Sequence, residues 1–329
     1  MPTPRAPWLA AACQAPAALR GLIPVVTPAD YHWGVAYRQG AFQLGQLLGW
    51  HMLKAGQAVA CRAAAGQDVS AETRELLTVL ACPARAYAHL PLRETPAVSS
   101  LLPSWRKWLD HEERDSYWTG LSYRDARARV AVPALHVGGW FDLFLGGTLD
   151  NFTTLSERAA TERARRGQRL IVGAWTHTDR TGTAGELHFG LIASEQAIGL
   201  EKLQIDFLRR AVRPEADEEA GPRVRLFVMG DNVWRDEDQW PLARTRWTRW
   251  YLHPGGSLSP AGPGHCGAPT SSRTSCARPP RRSEPHRSPS TSATPQASGR
   301  SPGKQPAGSA PCTWSATTPA SARWHRSPN

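Results

Sequence analysis

The chain has 329 residues, 41% of them hydrophobic, and a formal net charge of +11, a length that allows one large domain or two ordinary ones. The charge is lopsided: residues 261–329 hold nine Lys/Arg and a single acid, Glu284, and so supply +8 of the +11. The high pI therefore belongs to the tail and not to the body.

The first segment, "WLAAACQAPAALRG", is predicted to be helical up to a turn at Arg20-Gly21, and a short apolar strand is predicted over Leu22–Val26. The N-terminal apolar run is broken by Gln14 and Pro16, unlike a signal peptide, and no stretch reaches the ~20 apolar residues of a membrane span. These features read as cytoplasmic, with no membrane partner. Leu44, Leu47, Leu48 and Met52 recur on one helical face. Ser70 is expected to cap a second helix, with Glu72 in its first turn and Leu76, Leu77 and Leu80 on its apolar side. "WRKWLDHEERDSYW" reads as a further short helix carrying Trp105 and Trp108.

From Val130 the texture changes. "VAVPALHVGGW" is a β-rich run, "GTLDNFTTLSERAATERARRG" an amphipathic helix, "QRLIVGAW" a second strand, Ala193–Val212 a long helix and "PRVRLFVMG" a third strand. Strands apolar on both faces that alternate with helices argue for an α/β fold with a parallel sheet. After Leu258 the aliphatics stop: from Ala261 to Asn329 there is no Leu, Ile, Val, Met, Phe or Tyr. Such a stretch cannot offset its ordering entropy and is predicted to be disordered. Its only aromatics, Trp314 and Trp324, are too few for single-strand stacking, so no specific nucleic-acid partner is expected. The six cysteines form no C-x-x-C, and His265-Cys266 with Cys276 lacks zinc-site spacing. No metal site is expected.

Two polar residues stand out. In an open parallel sheet, functional groups gather at the carboxyl ends of strands. Asp142 follows the first strand and His177 stands at the equivalent point of the next, 35 residues on, flanked by the echoing "GW" and "AW". A carboxylate there can accept the imidazole Nδ1–H and leave Nε2 as general base. The competing reading makes the aspartate a turn former and the histidine an ordinary loop residue. Their parallel placement favours function.

"GGWFDLFLGG", "GAWTHTD" and "RLFVMGDNVWRDEDQWP", in this order, resemble the cocaine-esterase and X-prolyl dipeptidyl-peptidase family of α/β-hydrolases. The resemblance runs from about Trp8 to Pro254. It implies a serine hydrolase acting on an ester or X-Pro peptide through an acyl-enzyme, without cofactor. It makes Asp142 the triad acid and His177 the base, with Phe144 and Trp50 lining the acyl pocket. It divides the chain into a core remnant (1–39), a helical cap (40–125), the acid- and base-bearing core (126–245), the start of a β-sandwich (246–260) and the tail (261–329).

The family's nucleophile belongs on a Gly-x-Ser-Tyr-x-Gly elbow upstream of the acid. Counting back from Trp8, that serine falls at or before Met1, and no serine precedes Ser70. The elbow and its oxyanion hole are therefore expected to be missing, the sheet edge open, and this chain inactive. A non-catalytic binding module, with the tail a weak nucleic-acid binder, is the competing expectation. "GLSYR" around Ser122 mimics the elbow, but Arg124 and Asp125 stand where a glycine is needed, and Ser122 is rejected as nucleophile.

Overall fold

The computed structural model describes residues 7–213, 221–253 and 256–260, and two compact units part between Thr245 and Arg246. The first unit is built on a four-stranded sheet. Leu135–Phe141, Arg169–Thr176 and Val224–Val228 lie side by side and parallel, and Val233–Glu237 pairs antiparallel with the last of them. The sheet is thus mixed where the sequence reading has it parallel. A tight turn carries the chain back, with Gly230 and Asn232 at positive φ.

The first two strands are buried along nearly their whole length, so they read as unbroken apolar runs. Alternate residues serve opposite layers. Leu170 and Val172 pack with Phe152 from the helix Leu145–Arg158, whereas Ile171 packs with Leu200 and Phe207 from the helix Leu200–Ala211. These two helices cover the two faces and make the fold α/β.

Leu22–Val26, predicted as a strand, runs parallel to the first strand but forms only isolated bridges with it. Leu22 and Val26 donate to the carbonyls of Pro133 and Val137 (3.1 and 2.8 Å), and the N–H groups of Leu135 and Val137 return bonds to Leu22 and Pro24 (2.9 and 3.0 Å). Pro24 has no N–H to give, and the pairing is two isolated bridges. Among the described residues nothing pairs with the outer edge of this segment.

Several predicted boundaries move. The helix expected from Ala193 begins at Leu200, because Gly199 takes a left-handed conformation (φ 61°) that stops it. The helix after the first strand divides into Leu145–Arg158 and Glu162–Arg166, where the Thr161 hydroxyl caps the second piece through the Ala164 N–H. "WRKWLDHEERDSYW" likewise divides, into Pro103–Asp110 and Ser116–Leu121. Ser70 is the first residue of its helix and not the cap; the Asp68 carboxylate accepts its N–H at 3.0 Å. On that helix Leu76 and Val79 are buried, while Leu77 and Leu80 face solvent.

The helical insertion between the Leu22–Val26 segment and the first strand has its own core. Trp105, Trp108 and Trp118 are its fully buried centre. His51, on the helix Leu44–Ala64, lies within 5.1 and 5.3 Å of the Trp105 and Trp108 rings. Its Nδ1–H donates to the Leu47 carbonyl at 2.8 Å, and Ser104 Oγ donates to Nε2 at 3.3 Å. Asp30 ties this insertion to the chain leaving the sheet. It accepts from the N–H groups of His32 and Trp33 (2.8 and 3.0 Å), from Arg114 Nε (3.1 Å) and from Ser122 Oγ (3.1 Å). Burial acts to raise the Asp30 carboxyl, but the Trp33 N–H, the Arg114 charge and the Ser122 hydroxyl outweigh it and hold it below the usual range.

In the second unit, Tyr251–Leu252 and Leu258–Ser259 pair antiparallel. The predicted tail at 261–329 lies outside the described residues. Among the described residues no helix is long and apolar enough to cross a membrane.

Burial lowers two histidines, His51 and His136, from 6.5 to about 4. The unfolded chain therefore binds more protons between those values, and stability falls as pH drops from 6.5 to 4. Each contributes a loss of about 3 kcal/mol by pH 4. Chemical unfolding at pH 7, 5.5 and 4 should show this decline, and His51→Leu should remove about half of it. An equal slope in His51→Leu would contradict the assignment.

Candidate active site

Two tight glycine positions make room for Trp175 where the first and second strands end. A Cβ on Gly139 would stand 2.2 Å from the Trp175 carbonyl oxygen, and one on Gly173 would stand 2.2 Å from the Trp175 ring. Neither position admits a side chain. The two glycines face each other in register. The echoing tryptophans anchor the strand ends outward. Trp140 Nε1–H donates to the Phe227 carbonyl and Trp175 Nε1–H to the Ala193 carbonyl, each at 2.7 Å.

After the register irregularity at Trp140, Phe141 pairs with Thr176. Asp142 and His177 are the next residue on each strand, so the two leave the sheet together. The Asp142 N–H turns back to the Gly139 carbonyl at 3.1 Å. Its carboxylate is fully buried and accepts from His177 Nδ1 at 2.8 Å. An ionised carboxylate can only accept, so the proton sits on Nδ1 and Nε2 carries the lone pair. Asp142 Oδ2 is buried with no donor among the described residues. The histidine loop is fixed from the other side. Asp179 N–H donates to Thr176 Oγ1 at 3.0 Å, and the Asp179 carboxylate accepts from Thr181 N–H at 2.7 Å and Thr181 Oγ1 at 2.6 Å. The Thr181 hydroxyl, then its N–H, holds the Asp179 carboxyl below the usual range.

His177 opens on a cavity of about 390 Å³ that Phe144 and Trp50 also line. Phe144 meets the imidazole edge-on, with centroids 5.1 Å apart and planes at 87°. Trp50 stacks on Trp108 at 6.0 Å. Of the four residues singled out from the sequence, His177, Phe144 and Trp50 line this cavity, and Asp142 is joined to it through its hydrogen bond with His177. Sequence reasoning passed over Tyr31, Leu47 and Trp108, which complete the apolar wall. For Leu47 the signal was the helical periodicity; Tyr31 and Trp108 offered nothing beyond their apolar character.

Ser122 is engaged elsewhere. Its Oγ donates to Asp30 and accepts from the Arg124 N–H at 3.1 Å, at the end of a helix and not at a strand-to-helix elbow. Among the described residues no three His, Cys, Asp or Glu are grouped so as to hold a metal ion.

A mostly parallel sheet covered by helices on both faces, with a helical insertion ahead of the acid-bearing strand, is the frame of an α/β-hydrolase. Residues 7–179 match the X-Pro dipeptidyl-peptidase (S15 family) model, and residues 217–297 match the X-Pro dipeptidyl-peptidase C-terminal non-catalytic domain. The chain belongs to the X-Pro dipeptidyl-peptidase S15 family, whose members are serine hydrolases acting on esters or peptides. The second match continues past Leu258, into residues that the sequence reading assigns to the tail. The chain is 34% identical over 243 residues to cocaine esterase of Rhodococcus sp. (strain MB1 Bresler), covering 73% of this chain and 41% of that one. Among solved structures it is similar to an α-amino acid ester hydrolase (TM-score 0.51, 21% identity, 79% of this chain and 42% of that one). It is also similar to an aminopeptidase from a marine sediment archaeon, Thaumarchaeota archaeon (TM-score 0.50, 20% identity, 75% and 39%). The chain spans about two fifths of the length of these relatives.

If Asp142 fixes the imidazole tautomer, Asp142→Asn should release it. Nitrogen-15 NMR of His177 should show one tautomer, protonated at Nδ1, in the parent chain and a mixture in the variant. An unchanged Nδ1–H signal in Asp142→Asn would mean that another group sets the tautomer.

Proposed function

We propose that Asp142 and His177 are the acid and general base of a serine hydrolase that cleaves neutral, apolar esters through an acyl-enzyme. One observation carries the reading: an imidazole held by a buried carboxylate, on the wall of an apolar cavity. In the reaction a serine Oγ attacks the acyl carbon as its proton passes to His177 Nε2. Asp142 stabilises the imidazolium, which then returns the proton to the departing alkoxide. Water repeats the sequence on the acyl-enzyme and releases the acid.

The lining of this cavity argues for an ester over an X-Pro peptide. Phe144, Trp50, Trp108, Tyr31 and Leu47 give an acyl group apolar contact, and among the described residues no carboxylate lines the wall to meet a cationic peptide N-terminus. The family order is nucleophile, acid, base. The serines from Ser70 to Ser122 belong to the helical insertion, and none stands earlier in these 329 residues. We infer that the nucleophile and its oxyanion hole lie on a segment outside them, and that the 329-residue polypeptide alone forms no acyl-enzyme. Removing a triad serine costs about 10⁶ in kcat.

A fluorophosphonate probe tests this directly. The 329-residue polypeptide should take up no label. The same residues preceded in one chain by a serine-bearing elbow segment of a family relative should be labelled on that serine, and His177→Ala should abolish the labelling. Labelling of the 329-residue polypeptide alone, at Ser122 or elsewhere, would overturn the assignment.

A further inference from the structure

A second cavity, of about 630 Å³, shares Pro28, Leu143 and Phe144 with the His177 cavity but has a different chemistry. Its wall carries three acids and two arginines. Two of the acids are already satisfied from outside it. Asp30 is held by Arg114 and by the Ser122 hydroxyl, and Asp150 accepts from Arg127 Nη1 at 2.9 Å. The third, Asp142, is fully buried against His177.

The arginines are in the opposite position. Among the described residues neither Arg38 nor Arg124 has an acid partner. Arg38 Nη2 donates to the Leu143 carbonyl at 3.2 Å. Arg124 lies over the half-exposed ring of Trp33, 5.5 Å from its centroid. Two guanidinium groups that keep open donors therefore face one cavity. Trp33 and Phe144 supply flat apolar surface beside them. The Gly146 N–H, in the first turn of Leu145–Arg158, also lacks a partner among the described residues, and Gly146 has open space around it.

We propose that this cavity binds a small organic carboxylate with a flat apolar body, its anion held by Arg38 and Arg124 and its body laid against Trp33. A guanidinium fork matches a carboxylate in charge and geometry. The volume falls in the range of small-molecule sites. The pair of arginines outnumbers the one wall acid, Asp142, that no arginine offsets.

Calorimetric titration of the 329-residue protein with 2-naphthoate, 2-naphthamide and inorganic phosphate tests the proposal. Naphthoate should bind at one site, and naphthamide and phosphate at least tenfold more weakly. Arg38→Gln and Arg124→Gln should each weaken naphthoate roughly tenfold or more. Should either variant fail to fold, the parent protein still decides: naphthoate binding must weaken with added salt and must transfer saturation from indole protons that Trp33→Leu removes. Equal binding of naphthamide would show an apolar pocket without anion recognition. Tighter binding of phosphate would show that the flat body has no role. Unchanged affinity in both arginine variants would place the ligand elsewhere. Any of the three overturns the proposal.

Discussion

The 2.8 Å hydrogen bond from His177 Nδ1 to Asp142 Oδ1 joins two residues that are 35 positions apart in the chain but follow directly on a pair in register, Phe141 and Thr176. Gly139 and Gly173 leave room for Trp175 next to this pair, because a Cβ at either would overlap it. The tryptophans beside them then fix the outward faces of both loops through indole-to-carbonyl bonds. The apolar runs, the glycines and the tryptophans thus all bear on where one carboxylate meets one imidazole.

A second constraint is electrostatic. A buried carboxylate is costly unless it is hydrogen-bonded. Asp30 solves this with four donors and thereby fastens the helical insertion to the sheet. Asp142 solves it on one oxygen, through His177, and leaves Oδ2 buried with no donor among the described residues. The histidines of the interior follow the complementary rule. His51 and His136 are buried away from carboxylates and held neutral by that burial, which outweighs the hydrogen bonds to the Leu47 carbonyl and the Gln168 side chain that act to raise them.

Much of this was legible in the sequence. Continuous apolar runs spaced by one crossover announced parallel strands, and the position after each strand announced Asp142 and His177. Phe144 and Trp50 came from family resemblance alone, since nothing in their spacing marks them. The boundaries were less legible, for local reasons. Gly199 can stop a helix or sit within one, and its left-handed φ decides which. Leu77 and Leu80 look as apolar as Leu76, yet only the packing of the neighbouring helix selects Leu76 and Val79 for burial. Asp30 reads as a strand terminator, because its partners Arg114 and Ser122 lie more than 80 residues downstream. The antiparallel fourth strand, Val233–Glu237, is short and half exposed, so the periodicity of a buried strand does not mark it.

The proposed roles of His177 and Asp142 are those of base and acid toward a serine outside these residues. The most direct measurement is the pre-steady-state burst of p-nitrophenol from a p-nitrophenyl ester, using these residues joined in one chain to a serine-bearing elbow segment. Asp142→Asn should slow acylation by on the order of 10⁴ and His177→Ala by about 10⁶, with folding unchanged by circular dichroism. A burst of undiminished rate in His177→Ala would contradict these roles.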